Sequence, residues 1–231
     1  MEALAPPAKK RIVIEALTFL EFFRLVLSAP TLLRQPRGNR EQVLVFPGFG
    51  ASNASTSLLR RYLRYLNYDV KGWNEGTNTG DVETLIATLA RFVTNQAHQQ
   101  GTTITLIGWS LGGYLAREVA RKLPTRVNHV FTLGSPVTGG PKYTRAGPVY
   151  ERRGFDLDDI ERAVFEREVI PLRVPVTALY SRRDGVVDWR ACIDDRSGMT
   201  EHVDVTTTHL GFGFSAAVFM TLARRLGSED E

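Results

Sequence analysis

The chain has 231 residues, of which 43% are hydrophobic and 23% are charged, and its formal net charge is +4. These values are typical of one globular domain with a sizeable core. Basic and acidic residues are interspersed, so the sequence lacks the basic stripe expected of a nucleic-acid-binding protein. The single cysteine, Cys192, excludes an internal disulfide framework and a Cys-based metal site. We therefore expect a cytoplasmic protein.

The first 37 residues predict an apolar helix and a linker ahead of a main domain at 38–231. Three basic residues precede an apolar run at 12–27, but polar residues recur within that run at every third position: Glu15, Thr18, Glu21 and Arg24. The run is too short and too charged for a membrane-spanning helix. Three interpretations remain open: a helix packed on the domain, a helix in peripheral contact with a membrane or lipid, and a secretion signal.

Short apolar runs alternate with helical periodicity along the main domain, which predicts βα units and a mostly parallel sheet with helices on both faces. The predicted strands are residues 43–46, 69–73, 102–109, 130–133, 176–180 and 203–207. The predicted helices of the main domain are residues 52–66, 82–99, 111–123, 157–168 and 214–226. Residues 137–172 interrupt the alternation and are interpreted as a short cap-like insert.

The third predicted strand runs through the sequence Gly108-Trp-Ser-Leu-Gly112 into a helix. Gly-x-Ser-x-Gly between a strand and a helix is the pattern of a nucleophile elbow, a turn so sharp that the serine hydroxyl projects from the sheet. Glycines are needed on either side because a Cβ atom would collide with the neighbouring backbone. Ser110 is therefore the candidate nucleophile, and a glycine-rich turn without a role is the alternative.

A nucleophilic serine needs a base that accepts its proton. His209 follows the last predicted strand, whereas His129 and His202 precede strands and lie at the opposite edge. His98 lies on a long helix. The loops that follow parallel strands converge on one edge of a sheet, so His209 is the histidine placed to meet Ser110. A loop histidine with a structural role is the alternative.

The base needs an acid that orients it, and the loop after residues 176–180 contains two aspartates. Asp184 follows the strand closely and precedes Gly185, so we favour it. Asp188 is the second choice, and a solvated turn aspartate is the alternative for either. The order Ser110, Asp184, His209 is the chain order that accompanies a nucleophile elbow.

Acyl transfer also needs N–H donors for the developing oxyanion. The Leu111 N–H lies at the start of the elbow helix, and the Phe49 N–H lies in a loop after the first strand, where Gly48 lets the backbone approach a substrate. A Pro-Gly turn without a role is the alternative for that loop. Residues expected near the substrate share positions at strand ends or helix starts: Gly48, Trp73, Asn78, Trp109, Tyr114, Val137, Tyr143 and Phe212.

These motifs resemble the α/β-hydrolase superfamily from about residue 43 to residue 226, and the chain is most similar to small bacterial esterase- or lipase-like members. The matching motifs are Pro47-Gly-Phe-Gly50, Gly108-Trp-Ser-Leu-Gly-Gly113, Gly134-Ser-Pro136, Arg183-Asp-Gly185 and Thr208-His-Leu-Gly211. The resemblance implies an α/β-hydrolase fold with all three triad positions filled. Two departures are that Pro47 replaces the histidine of many members and that the sheet lacks the leading antiparallel hairpin.

The sequence therefore predicts a serine hydrolase that cleaves a carboxylic ester through an acyl-enzyme, with no metal and no cofactor. The expected partner is a small ester or lipid-like molecule, and no oligomeric state is indicated. An acyltransferase or thioesterase acting on lipid-like substrates is one alternative. A non-catalytic binding protein with the same fold is the other, although such a protein has no need of Ser110, Asp184 and His209 in register.

Overall fold

The computed structural model describes residues 4–16 and 18–227. Its sheet has six strands: β1 Gln42–Phe46, β2 Asp69–Gly72, β3 Ile104–Trp109, β4 Val127–Leu133, β5 Val176–Tyr180 and β6 Thr200–Asp204. They lie in the order β2-β1-β3-β4-β5-β6, and each neighbouring pair is parallel. The predicted fold class is thereby confirmed, because crossover helices alternate with the strands.

Nine α-helices surround the sheet in the described residues: α1 Ile12–Glu15, α2 Thr18–Leu27, α3 Ala29–Leu32, α4 Ser57–Tyr65, α5 Val82–Gln100, α6 Leu111–Lys122, α7 Gly147–Arg152, α8 Leu157–Arg167 and α9 Ala216–Gly227. One apolar core lies between the sheet and α5, α6 and α8, and the other lies between the sheet and α3, α4 and α9. Alternate residues of β1 enter opposite cores, Leu44 the first and Val45 the second. The central strands read as continuous apolar runs because both faces of the sheet are covered.

The sheet order places a topological switch between β1 and β3. From β1 the chain crosses to the edge strand β2, and it then returns to form β3 on the other side of β1. Ligands of open α/β sheets bind in the crevice at the carboxyl ends of the strands that flank such a point. The loop after β1 and the turn after β3 therefore meet where a site is expected.

Strands β4 and β6 and the insert differ from the sequence prediction. The last strand is Thr200–Asp204 and not residues 203–207, so His202 lies within it, as His129 lies within β4. The prediction followed the apolar residues, but this edge strand is only partly buried and its pairing with β5 decides its position. The insert contains an additional helix, α7, which begins with Gly147 and Pro148. Proline is favourable in a first helical turn.

The apolar N-terminal run forms α1 and α2, and the two helices pack on the domain through their polar stripe. Glu15, Thr18 and Glu21 are buried, whereas Phe19 and Phe22 are exposed. Leu17 lies outside the described residues. Among the described helices, none is long and apolar enough to cross a membrane.

Candidate active site

Ser110 occupies the turn between β3 and α6 with φ 54° and ψ −123°. This combination of angles is sparsely populated for residues other than glycine, costs about 1–3 kcal/mol and is enriched at functional sites. The neighbouring glycines make the turn feasible: a Cβ atom on Gly108 would lie 2.2 Å from the carbonyl oxygen of Gly112, and one on Gly112 would lie 2.4 Å from that of Phe46. The elbow thus requires the residue types that the sequence supplies.

The structure brings His209 and Asp184 together. The Nδ1 atom of His209 lies 2.7 Å from Oδ2 of Asp184, and both side chains are buried. The other carboxylate oxygen, Oδ1, accepts hydrogen bonds from the backbone N–H groups of Val186 and Val187 at 2.8 and 2.7 Å. Asp184 therefore holds a fixed orientation, and the Nε2 atom of His209 remains as the nitrogen that can exchange a proton.

The His209 ring lies close to the elbow. Its centroid is 6.2 Å from the ring of Trp109, the residue before Ser110, and 6.3 Å from the ring of Phe212. Trp109 also lies against the loop that follows His209, because a Cβ atom on Gly213 would be 3.2 Å from its indole ring. The indole thus links the serine turn to the histidine loop.

The pKa of His209 is raised above its ordinary value. Burial is the largest single influence and acts to lower the pKa, because it disfavours the imidazolium. The negative charge of Asp184, the hydrogen bond to Asp184 and the negative charge of Glu15 act in the opposite direction and together outweigh burial. The site therefore stabilises the protonated form that a general base reaches during acyl transfer.

The other candidate residues lie elsewhere and have other partners. Asp188 forms an ion pair with Arg190 at 2.8 Å. His129 is within hydrogen-bonding distance of Thr177, and His202 accepts a hydrogen bond from the backbone N–H of Asp194. Among the described residues, no group of His, Cys, Asp or Glu side chains could hold a metal ion.

The predicted oxyanion loop lies directly over Ser110. A Cβ atom on Gly48 would be 3.3 Å from the Cβ atom of Ser110, so the glycine permits this close approach. Asn78 is fully buried behind the loop, where its Nδ2 group donates to the carbonyl oxygen of Pro47 at 2.9 Å. The Leu111 N–H belongs to the first turn of α6, whose N–H groups have no partner within the helix. The loop that contains Phe49 thus lies beside Ser110, and Leu111 follows Ser110 in the chain.

A cavity of about 490 Å³ opens beside Ser110. Its apolar wall comes from the sheet edge and from the insert, and includes Phe49, Leu111, Tyr114, Pro136, Tyr150, Phe155, Ile160, Ala163 and Val164. The charged residues that line it in the described part of the chain are Asp81, Glu83, Asp156, Asp159 and Arg167. Burial raises the pKa of Tyr114 to about 12, so this phenol is neutral near pH 7.

The cavity wall differs from the set of residues expected near the substrate. Of the eight residues expected near the substrate, Tyr114 lines the cavity and seven do not: Gly48, Trp73, Asn78, Trp109, Val137, Tyr143 and Phe212. Val137 and Phe212 are almost completely buried. A position at a strand end places a residue near the active edge, but packing decides whether its side chain faces the cavity or the core.

The site also contains a residue that the sequence analysis did not assign to it. The Glu15 carboxylate accepts hydrogen bonds from the backbone N–H groups of Gly185, His209 and Leu210 at 2.8, 2.9 and 2.9 Å. In the sequence, Glu15 is visible only as a carboxylate within the apolar run at 12–27. Its meaning depended on contacts with residues far along the chain.

Comparison with known proteins places the chain in a family. The model of the alpha/beta hydrolase family matches residues 43–227. Lipase B of Aspergillus fumigatus superposes with a TM-score of 0.64 at 14% identity, over 82% of this chain and 52% of that chain. The Bacillus licheniformis lipase BlEst2 has a TM-score of 0.62 at 14% identity, over 82% of this chain and 94% of the other.

Naproxen esterase from Bacillus subtilis has a TM-score of 0.58 at 12% identity, over 90% of this chain and 98% of the other. Among curated protein sequences no match was found. Similarity at these identities concerns the fold alone, whereas the family match covers most of the sequence. The resemblance inferred from the motifs is therefore confirmed, and the chain belongs to the alpha/beta hydrolase family.

Proposed function

We propose that the protein is a serine hydrolase that cleaves neutral carboxylic esters with an apolar acyl or alcohol group. The observation that carries the proposal is the strained Ser110 at the wall of an apolar cavity, on the same sheet edge as the buried His209–Asp184 pair. The lipases of Aspergillus fumigatus and Bacillus licheniformis and the naproxen esterase, which share the fold, agree with this proposal.

In the proposed reaction, Oγ of Ser110 attacks the ester carbonyl carbon while Nε2 of His209 accepts the hydroxyl proton. The Phe49 and Leu111 amides stabilise the oxyanion of the tetrahedral intermediate. His209 then protonates the leaving alkoxide, which departs as an alcohol and leaves an acyl group on Ser110. Water repeats the sequence: His209 takes its proton, the hydroxyl adds to the acyl carbon, and Ser110 leaves with the proton returned. The chain supplies each group that these steps require.

The charges in the cavity favour a neutral substrate. Asp81, Glu83, Asp156 and Asp159 line it together with Arg167. All four carboxylates are exposed at the cavity wall, and their excess disfavours anionic molecules such as phosphorylated thioesters through a like-charge repulsion that salt screens. A neutral ester with an apolar chain matches both the charge and the apolar wall.

The experiment measures hydrolysis of p-nitrophenyl esters of increasing acyl length, together with labelling by a fluorophosphonate probe. Wild-type protein is expected to hydrolyse the esters and to become labelled. Ser110→Ala is expected to lose labelling and to lower kcat/KM by about 10⁴-fold or more. Ser135→Ala is the control, since this buried serine follows β4 at the same edge.

The two readouts separate the alternatives. Labelling of Ser110 without ester turnover would contradict the ester hydrolase and would instead favour an acyltransferase or thioesterase that uses the same nucleophile. Turnover that persists in Ser110→Ala, or failure of both readouts in wild-type protein, would contradict the proposal.

A further inference from the structure

The N-terminal segment contacts the loops of the candidate acid and base through one carboxylate. Glu15 is 7% exposed, and its Oε1 atom accepts from the backbone N–H of Gly185, the residue after Asp184, and from that of His209 itself. Its Oε2 atom accepts from the Leu210 N–H. Hydrogen bonds from N–H groups to a carboxylate are stronger than those between neutral groups. One side chain thus joins two loops that follow different strands.

The surrounding contacts fit the same arrangement. Thr18 and Thr208 hydroxyls lie 2.6 Å apart, which places α2 against the residue before His209. A Cβ atom on Gly185 would lie 2.6 Å from the carbonyl oxygen of Arg11, so the N-terminal backbone approaches the Asp184 loop as closely as a glycine allows. The match to the family covers residues 43–227, and Glu15 therefore lies outside it.

We propose that Glu15 is a positioning residue that holds the Asp184 and His209 loops in register and adds a second negative charge near the His209 ring. The proposal rests on the proposed function, because the loops matter through the reaction at Ser110. Without Glu15, three backbone N–H groups, two of them buried, would lose their acceptor. Small displacements of a catalytic group reduce rates steeply. The negative charge of Glu15 also contributes to the raised pKa of His209.

The test compares the rate of fluorophosphonate labelling of Ser110 across pH in the full chain. Glu15→Gln is expected to lower the labelling rate constant by about 10-fold to 100-fold. The pH profile of the labelling rate constant has an acidic limb, where protonation of His209 lowers the rate. Glu15→Gln is also expected to move this limb to lower pH, because removal of the charge lowers the pKa of His209. Glu15→Asp retains the charge on a shorter side chain. Its acidic limb is expected to lie at the wild-type pH, and its labelling rate constant is expected to lie between those of Glu15→Gln and wild type.

Glu21→Gln is the matched control, since Glu21 is equally buried on the adjacent helix and forms an ion pair with Arg24 at 3.7 Å. It should leave both rate and limb unchanged. An NMR titration of His209 reads the charge of Glu15 without any reaction, so the result is independent of whether Ser110 is labelled. A wild-type titration midpoint in Glu15→Gln would overturn the proposal. If Glu15→Gln does not fold, an unchanged labelling rate in Glu15→Asp would overturn it.

The opposite face of the same segment carries a second observation. Four large side chains form one stripe at positions i, i+3, i+4 and i+7 of α2: Phe19, Phe22, Phe23 and Val26, which are 60%, 52%, 60% and 57% exposed. Leu27 extends the stripe with 81% exposure, and Ile12 and Val13 are also exposed. Exposed apolar surface that is contiguous in this way marks an interaction site.

The exposed charges of the N-terminal segment indicate which surface binds the stripe. Within the described residues up to position 40, both acidic side chains, Glu15 and Glu21, are buried against the domain. The exposed charged residues of that part of the chain are all basic: Lys10, Arg11, Arg24, Arg34, Arg37 and Arg40. Two copies that met through this face would bring like charges together. A segment that combines an apolar stripe with exposed charges of basic sign instead suits the interface of a membrane with anionic lipids.

We infer that α2 lies in the surface of an anionic lipid membrane, with the stripe Phe19, Phe22, Phe23 and Val26 among the acyl chains. The inference is independent of the role of Glu15, which lies on the inner face. It extends the proposed function by placing an esterase at a lipid surface, but membrane binding can be measured without any turnover.

The test is flotation of the full chain with vesicles of phosphatidylcholine and phosphatidylglycerol, and with vesicles of phosphatidylcholine alone. Binding to the anionic vesicles is expected, and it should weaken in high salt. The triple variant Phe19→Ser, Phe22→Ser and Phe23→Ser is expected to lower the bound fraction at least about tenfold, because it removes most of the apolar surface that would enter the membrane. Its hydrolysis of a soluble ester should be unchanged.

The control is Val169→Ser with Ile170→Ser, which removes exposed apolar side chains of the insert and should leave flotation unchanged. Flotation of the triple variant at the wild-type level would overturn the inference, as would absence of wild-type flotation. A wild-type dimer in solution that the triple variant converts to a monomer would assign this face to a second copy of the chain instead.

Discussion

Different interactions stabilise the structure on the two sides of Ser110, the side of His209 and the side of the cavity. On one side, hydrogen bonds fix each polar group: Asp184 engages His209 and two backbone N–H groups, and Glu15 engages three more. On the other side, apolar side chains of the sheet edge and of the insert enclose the cavity. The first side depends on geometry at the level of single atoms, whereas the second depends on shape and volume.

This difference predicts different responses to substitution. Hydrogen bonds on the His209 side are directional, so a substitution that removes a donor or an acceptor leaves its buried partner unsatisfied. An apolar residue on the second side is exchangeable within the limits of volume. We therefore expect large losses of rate on the first side and changes of substrate preference on the second.

The largest effect is expected from Asp184→Asn. An amide at this position keeps the shape but loses the charge that stabilises the His209 imidazolium and selects its tautomer, so kcat/KM for a p-nitrophenyl ester should fall by about 10⁴-fold. Asp188→Asn is the matched variant from the same loop. It removes the partner of Arg190 and should lower the melting temperature while kcat stays close to that of wild type. The reverse pattern would make Asp188 the acid.

A smaller effect is expected from pH, through the raised pKa of His209. The imidazole must be neutral to accept the Ser110 proton, so kcat/KM should increase with pH through a midpoint above the ordinary histidine value of about 6.5. Stability should change in the opposite direction. The preference of the folded state for protonated His209 contributes fully below the unfolded pKa and is lost as pH rises through the folded pKa.

The pH dependence of kcat/KM tests the expected effect on rate, and thermal unfolding at different pH values tests the expected effect on stability. The difference between wild type and His209→Gln isolates the histidine contribution to stability. A midpoint of kcat/KM at or below the ordinary value would show that burial of His209 outweighs its carboxylate neighbours.

Features that depend on neighbouring residues in the chain could be predicted from the sequence, whereas features that depend on tertiary contacts could not. The parallel sheet was predictable because each central strand is a short apolar run between helical segments, and β5 was predicted at its observed bounds. Ser110 could be proposed from five consecutive residues, because the steric demands of the elbow act between neighbours in the chain. Chain order then allowed His209 and Asp184 to be proposed from their places after parallel strands.

Glu15 could not be assigned in this way. Its hydrogen-bond partners Gly185 and His209 are 170 and 194 positions away, so no local periodicity encodes them. The polar stripe of the N-terminal run was visible, but the usual expectation is that the apolar side of a helix faces the core. Here the polar side faces the domain, because backbone N–H groups of the loops after β5 and β6 need acceptors that only polar side chains supply.

The smallest effect is expected on the cavity side, from Ile160→Trp in α8. Ile160 lines the cavity, so a larger side chain should shorten the space open to an acyl chain. The loss of a methylene-sized space changes discrimination by about 10-fold to 200-fold, and long-chain p-nitrophenyl esters should lose kcat/KM relative to short-chain esters. Phe165→Trp, on the exposed face of the same helix, is the control. Equal losses for all chain lengths would mean that this wall orders the catalytic groups as well, and the two sides of Ser110 would then form one unit.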